Sequence, residues 1–195
     1  MNLRVVLQAL ILVSALVCAG ISCADESDPQ QLKAECESGD AKSCGALGMM
    51  YEAKEDYFQA ANLYKKACEG GNALTCSKLG HMYAHGFGVK QDDFQAANLH
   101  RKACEGGFMM SCSDLGFMYN AGRGVKEDDL QAVDLFRKAC GGGNALGCIS
   151  LGLSYEYGRG VRQDITQALN YYGKACDLKA QLGCENYARL KTGKR

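Results

Sequence analysis

Ten cysteines, arranged as five evenly spaced pairs, constrain the fold of this chain more than any other feature. The chain has 195 residues, and seven residues separate the two cysteines of each of these pairs, as in Cys68 and Cys76. The interval from one pair to the next is 32 residues once and 36 residues three times. A repeat of this length is typical of a helical-hairpin solenoid, in which each unit packs only on its neighbours.

The first half of each period predicts a helix, here called helix A. A cysteine, a leucine, a glycine and a tyrosine recur at i, i+3, i+4 and i+7, which places them on one helical face. A glycine inside a helix costs about 1 kcal/mol relative to alanine, so its recurrence predicts close approach of a neighbouring helix. The four sets are Cys44, Leu47, Gly48, Tyr51; Cys76, Leu79, Gly80, Tyr83; Cys112, Leu115, Gly116, Tyr119; and Cys148, Leu151, Gly152, Tyr155.

The second half of each period predicts another helix, helix B. It opens with an aspartate three residues before a glutamine, as in Asp56 and Gln59, which is the pattern of a capping box. Small alanines and one aromatic or histidine residue follow, and they suit tight packing on helix A. A G-x-G-V loop joins the two helices in three of the four copies, and its absence from the first copy accounts for the shorter interval.

These patterns predict an all-α fold, an α/α solenoid in which antiparallel hairpins form a right-handed superhelix. One solenoid domain is expected over residues 25–195. Its predicted parts are an N-terminal cap helix at 28–38, repeats at about 40–71, 72–107, 108–143 and 144–179, and a C-terminal cap helix at 180–191.

The first 24 residues differ from the repeats. A basic start, a short apolar stretch and the small residues Ser22-Cys23-Ala24 are typical of a cleaved signal peptide. The sequence therefore predicts a secreted or periplasmic protein. A lipoprotein anchor through Cys23 is the less favoured alternative, because Gly20-Ile21-Ser22 lacks the usual leucine. The apolar stretch is too short for a transmembrane segment of about 20 residues.

Export to an oxidising compartment favours disulfides for the cysteine pairs. Each pair joins the end of one B helix to the start of the next A helix, where a glycine-containing turn can bring the two Cα atoms within bonding range. A zinc site is the alternative to the disulfides, but cysteines that bind structural zinc usually lie two to four residues apart. Catalytic redox chemistry is disfavoured because C-x-x-C is absent. The predicted bonds are Cys36–Cys44, Cys68–Cys76, Cys104–Cys112, Cys140–Cys148 and Cys176–Cys184.

The repeated unit L-G-x-x-Y-x-x-G-x-G-V-x-x-D-x-x-x-A-x-x-x-[YFH]-x-K-A-C is similar to the Sel1-like repeat, and the C-x7-C pairs resemble the Helicobacter cysteine-rich protein family. Proteins of that family are described as binding, and slowly hydrolysing, β-lactams. The resemblance implies a peptide, protein or peptidoglycan-like ligand, including a β-lactam, on the concave face of the solenoid. It also implies slow hydrolysis of penicillin or cephalosporin derivatives as an alternative function.

The sequence does not identify a catalytic residue. The serine β-lactamase motifs S-x-x-K and S-D-N are absent, and Lys191-Thr192-Gly193 matches K-T-G only in the C-terminal tail. His81 and His85 have an i, i+4 spacing that can hold a metal, but His81 and His100 occupy positions that are apolar or aromatic in the other copies. We therefore interpret the histidines as packing variants and predict neither a metal nor a cofactor.

Methionine recurs before the helix A tyrosine, and methionine suits adaptable binding surfaces. The predicted ligand contacts are Met50, Met82 and Met118, together with Phe108 and Met109, which replace smaller residues of other copies. Partial burial as packing residues is the alternative for the methionines. The net charge is zero, so the sequence does not favour nucleic acid as a partner. It leaves the oligomeric state open.

Overall fold

The computed structural model describes residues 28–193, which form ten α-helices and no strand. The prediction of an all-α solenoid is confirmed. The helices are α1 Pro29–Glu37, α2 Ala41–Ala53, α3 Tyr57–Glu69, α4 Ala73–His85, α5 Asp93–Glu105, α6 Met109–Ala121, α7 Asp129–Gly141, α8 Ala145–Tyr157, α9 Ile165–Asp177 and α10 Gln181–Lys191.

Four hairpins make up the body of the solenoid. Each pairs an A helix with the following B helix: α2 with α3, α4 with α5, α6 with α7, and α8 with α9. The single helices α1 and α10 cover the two ends, and α8 also touches the A helices on either side of it, α6 and α10. The buried side chains form several small clusters rather than one large core. Stability therefore depends on what holds each hairpin to the next.

The predicted caps set the helix boundaries. At the start of every B helix in the hairpins an aspartate carboxylate accepts the backbone N–H of the glutamine three residues later, at 3.0 to 3.1 Å. The carboxylate half of each predicted capping box is thus confirmed. Gly86, Gly122 and Gly158 end α4, α6 and α8 in the left-handed conformation, with φ of 75°, 64° and 70°.

The glycine in the middle of each A helix marks a close contact, as predicted. A Cβ atom built on this glycine would lie only 2.5 to 3.0 Å from the ring of the residue that faces it on the B helix of the same hairpin. The four pairs are Gly48 with Tyr64, Gly80 with His100, Gly116 with Phe136, and Gly152 with Tyr172. Each ring therefore lies directly on the backbone of its A helix.

Disulfides join consecutive hairpins, and each end helix to its neighbouring hairpin, at all five predicted places. Their Cα–Cα distances are 4.5 to 4.7 Å, within the usual range for a disulfide. A fully buried alanine of the next B helix covers each of the first three, as Ala103 does for Cys68–Cys76. The bond and the alanine together fix the junction between two hairpins.

The signal peptide predicted for residues 1–24, and Cys23 within it, lie outside the described residues. Over residues 28–193, no helix is both long enough and apolar enough to cross a lipid bilayer.

Candidate functional site

Two neighbouring cavities lie along the A helices of the second to fourth hairpins. The first, of about 230 Å³, is bordered by His81, His100, Asp114, Phe117 and Arg123, among others. The second, of about 160 Å³, is bordered by residues that include Phe117, Phe136, Ser150, Leu153 and Arg159. Each cavity lies between one hairpin and the A helix of the next.

The two cavities are the same feature in successive repeats. Their lining residues correspond at a distance of 36 positions, the repeat length: His81 with Phe117, His100 with Phe136, Asp114 with Ser150, Phe117 with Leu153, and Arg123 with Arg159. Phe117 borders both cavities, so they adjoin along the array. We call this pair of cavities the A-helix groove.

The first cavity brings three polar side chains together. Asp114 Oδ2 lies 3.4 Å from His81 Nε2 and 3.7 Å from His100 Nδ1. The His100 side chain is only 3% exposed, whereas the His81 side chain is 49% exposed. His100 Nδ1 also lies 3.2 Å from the hydroxyl of the buried Ser111. The cluster therefore has a buried histidine, a carboxylate and a histidine at the surface.

The two histidines differ in charge preference. The contact with Asp114 Oδ2, 3.4 Å from its Nε2, raises the pKa of His81, although burial partly opposes it. Burial lowers the pKa of His100 to about 4, so this imidazole is neutral at neutral pH. Asp114 Oδ2 is buried and makes no hydrogen bond of good geometry with the described residues. The carboxylate therefore retains acceptor capacity directed at the two rings.

The second cavity is lined by apolar and polar side chains in similar measure. Phe117 and Phe136 lie with ring centroids 5.1 Å apart, and Leu153 is 37% exposed at the same edge. The hydroxyl of Ser150 is buried without a hydrogen-bond partner among residues 28–193. Arg159 lies exposed at the border of this cavity. This arrangement suits an apolar group that carries a nearby acceptor or negative charge.

The corresponding spaces in the first and fourth hairpins are filled by polar networks. In the first hairpin the Tyr64 hydroxyl donates to Glu52 at 2.5 Å, and Lys78 donates to the same oxygen at 2.7 Å. In the fourth, Tyr172 and Arg189 both donate to Glu156 Oε2 at 2.7 Å. We call these the outer networks.

The structure does not gather the predicted ligand contacts into one surface. Met82 is 3% exposed and packs in the core of the second hairpin, so its predicted ligand contact is wrong; the position before the tyrosine points inward here. Met118 is 7% exposed but borders the first cavity, and Met50 borders a separate cavity of about 200 Å³ beside α1. Phe108 and Met109 are partly buried against two disulfides. Ligand binding by Met50 and Met118 stays a prediction.

The grouping of His81, His100 and Asp114 was not predicted from the sequence. Their positions along the chain match no metal motif, because the three residues come from three successive helices, α4, α5 and α6. His85, the spacing partner of His81, instead stacks beside it with ring centroids 6.2 Å apart. The sequence carries one signal of this site: an aspartate stands at 114 where Ala46, Lys78, Ser150 and Asn186 stand in the other units.

The K-T-G tripeptide forms the exposed end of the last helix. The Thr192 hydroxyl donates to the carbonyls of Ala188 and Arg189, and the Lys191 ammonium lies 5.5 Å from the centre of the Tyr187 ring. These contacts serve to terminate α10 and give the tripeptide no catalytic geometry.

The repeat architecture matches a known family over most of the described residues. The profile of the Sel1 repeat matches four times, at residues 41–72, 73–108, 110–144 and 145–179. The chain belongs to the Sel1 repeat family. Among proteins of curated function, none matches this Sel1 repeat protein.

Solved structures agree with this assignment. A protective antigen of uropathogenic Escherichia coli with an SLR fold is 35% identical at a TM-score of 0.78, over 82% of this chain and 35% of its own. A Sel1 repeat protein from Oxalobacter formigenes is 26% identical at 0.78, over 80% of this chain and 66% of its own. This chain therefore spans less than two thirds of either protein.

The cysteine-rich proteins provide a further relative. Helicobacter pylori cysteine rich protein B is 32% identical at a TM-score of 0.54, over 67% of this chain and 93% of its own. Its similarity confirms the resemblance to the cysteine-rich branch of the Sel1-like proteins. The disulfides fit an extracellular or periplasmic protein.

Proposed function

We propose that this protein is an exported scaffold that binds an extended peptide segment in the A-helix groove. The segment belongs to a partner protein or to the peptide part of a peptidoglycan-like ligand. Sel1 repeat solenoids are in general protein-binding scaffolds, and the observation that supports a chain-like ligand here is the groove itself. It repeats one cavity in two successive units that share Phe117.

Exposed apolar side chains along the A helices support the same proposal. Met49, Phe117 and Leu153 occupy equivalent positions in three hairpins, and each is 37 to 42% exposed. Large apolar side chains that line a concave site are the usual anchors of a bound peptide. Met118, at 7% exposed, borders the first cavity and contributes a flexible apolar side chain to its lining.

Two arginines at equivalent positions give the groove a preference for negative charge. Arg123 borders the first cavity but is already paired with Asp93 at 2.7 Å. Arg159 borders the second cavity and has no ion-pair partner within the part of the chain that the structure describes. Because arginine binds carboxylates in a bidentate manner, we expect the bound segment to place a carboxylate beside Arg159.

Export by a signal peptide at residues 1–24 completes the proposal. The disulfides require oxidising conditions to form and persist, and the outside of the cytoplasm provides them. N-terminal sequencing of the protein recovered from the oxidising compartment tests this step. A first residue at or close to Asp25 supports cleavage, whereas an intact Met1 contradicts it.

The groove is tested with a phage-displayed library of random 12-residue peptides, selected on the disulfide-intact protein. For selected peptides we expect Phe117→Glu and Leu153→Glu each to weaken binding at least about tenfold in fluorescence anisotropy, equivalent to about 1.4 kcal/mol. Leu130→Glu is the matched control, since Leu130 is 67% exposed on α7 and does not border the groove. Thermal unfolding checks that each variant remains folded.

Two results contradict the proposal. One is a set of selected peptides whose affinity falls equally with Leu130→Glu and with the groove variants. The other is hydrolysis of a chromogenic cephalosporin, with an activity that copurifies with the protein and is lost in the groove variants. That result indicates the hydrolase implied by the family resemblance.

A further inference from the structure

We propose that His81, His100 and Asp114 bind one divalent transition-metal ion, with Zn²⁺ as the best-suited ion. One ligand atom from each residue can be chosen so that all three lie within 4.8 Å of one another. Two imidazoles and one carboxylate form a ligand set that suits Zn²⁺ and related ions. This site is independent of the proposed peptide binding, since it needs no partner molecule.

Two of the three distances between the ligand atoms match those around a small ion. Bonds of about 2.0 to 2.2 Å in a tetrahedral zinc site place neighbouring ligand atoms about 3.4 Å apart. Asp114 Oδ2 lies 3.4 Å from His81 Nε2 and 3.7 Å from His100 Nδ1. An ion can therefore enter with shifts of a few tenths of an ångström at these two edges.

The unsatisfied carboxylate oxygen independently favours an ion. Asp114 Oδ2 is buried and lacks a hydrogen bond of good geometry among residues 28–193, a state that costs free energy in a folded protein. Coordination of a cation supplies what this oxygen lacks. It also accounts for a carboxylate at a position where the other units have Ala46, Lys78, Ser150 or Asn186.

The fold holds the two buried ligands in place. The Cys104–Cys112 disulfide joins the end of α5, which carries His100, to the start of α6, which carries Asp114. The Nε2 edge of the His100 ring lies against Gly80, so Nδ1 is the nitrogen that faces Asp114. Such preorganisation lowers the cost of ordering ligands around an ion.

The remaining coordination position is open. His81 is half-exposed at the border of the cavity of about 230 Å³, so a water molecule or a ligand group can complete the coordination of the ion. The Ser111 hydroxyl lies 3.2 Å from His100 Nδ1, and its hydrogen can turn away from this nitrogen when the ion takes the nitrogen lone pair.

The neighbouring repeat offers matched substitutions for a test. At the equivalent positions it carries Phe117, Phe136 and Ser150. The substitutions His81→Phe, His100→Phe and Asp114→Ser therefore introduce side chains that the neighbouring repeat already accommodates. His85→Ala is the control, because His85 borders the same cavity but is not among the three ligands.

Isothermal titration of the full, oxidised chain with ZnCl2, after N-ethylmaleimide has blocked any free thiol, measures the site. We expect one ion per chain, and a loss of affinity of at least about tenfold with either His100→Phe or Asp114→Ser. His85→Ala is expected to change the affinity less than about twofold. Titration with Co²⁺ should produce visible absorption bands that disappear in the same two variants.

The proposal is overturned if the wild-type chain binds no Zn²⁺ at micromolar concentration. It is equally overturned if the stoichiometry and affinity are the same in His100→Phe and Asp114→Ser, since the ion then binds elsewhere. Unfolding curves of the two variants without metal show whether they are folded. If either is unfolded, His81→Phe, at a half-exposed position, takes its place with the same expected loss.

Discussion

The first and fourth hairpins, here called the outer hairpins, and the second and third, here called the inner hairpins, use the same structural position differently. In the first and fourth hairpins a tyrosine lies on the A-helix glycine, and its hydroxyl joins a carboxylate and a cation in a closed network. In the second and third hairpins His100 and Phe136 take the place of this tyrosine, and cavities remain beside them. The array therefore closes this space at its two ends and leaves it open in its middle.

The largest expected effect comes from breaking an outer network. Glu156 is 6% exposed, and its replacement in Glu156→Ala leaves the buried Tyr172 hydroxyl and the Arg189 guanidinium without their acceptor. We expect the free energy of unfolding to fall by about 3 kcal/mol in urea titrations with the disulfides intact.

Asn120→Ala is the matched variant in an inner hairpin. Asn120 stands at the position equivalent to Glu156, where the second hairpin already has Ala84. Among residues 28–193, the side chain of Asn120 hydrogen-bonds only to Asp129. A loss below about 1 kcal/mol is expected here. Equal losses in the two variants would remove the distinction between outer and inner hairpins.

An intermediate effect is expected from adding a methyl group beneath the ring. In Gly152→Ala the new Cβ lies 2.6 Å from the Tyr172 ring, which Glu156 anchors, so the ring cannot move away and a loss of about 2 kcal/mol follows. In Gly80→Ala the contact with His100 is 3.0 Å and the ring borders a cavity. Because alanine favours a helix by about 1 kcal/mol over glycine, this second change should be close to neutral.

Chemical unfolding of the two alanine variants, measured side by side, gives the comparison. A Gly80→Ala protein that loses as much stability as Gly152→Ala would show that the inner rings are held as rigidly as the outer ones.

The smallest expected effect is a difference in acid sensitivity. Burial alone raises the pKa of Glu156, but hydrogen bonds from Arg189 and Tyr172 outweigh it and hold the pKa below its ordinary value of 4.5. The unfolded chain therefore binds this proton more readily. The contribution of Glu156 to stability is full above about pH 4.5 and is lost as the pH falls through the lower pKa of the folded state.

Melting temperatures measured across this acidic range test the sign. The wild-type protein should lose more stability on acidification than Glu156→Gln, which has no proton to gain at this position. An identical pH dependence in the two proteins argues against a lowered pKa at Glu156.

The fold was predictable because its determinants are local. The cysteine pairs and the aspartate caps act over eight and three positions of the chain, and the A-helix glycines meet rings 16 to 20 positions away in the same hairpin. The structure shows the disulfides, caps and close contacts that these residues predicted. Met82 was misplaced because periodicity alone does not show which of two neighbouring positions on a helix faces the core.

The site was less predictable because its members come from different repeats. The groove forms between one hairpin and the next A helix, so Asp114 meets His81 and His100 only through packing over 33 and 14 positions of the chain. The outer networks were missed for the same reason, since Arg189 reaches Glu156 from the terminal helix. An alignment of the repeats shows that these positions vary, but it does not show that they touch.

The short disulfide rings have a consequence for the evolution of such arrays. Each bond closes over a sequence separation of 8, wholly at one junction. A duplication or deletion of one 36-residue unit therefore adds or removes two cysteines and still leaves every cysteine eight positions from another across a junction. The number of units can therefore change during evolution without leaving a cysteine unpaired, and the length of the groove changes with it.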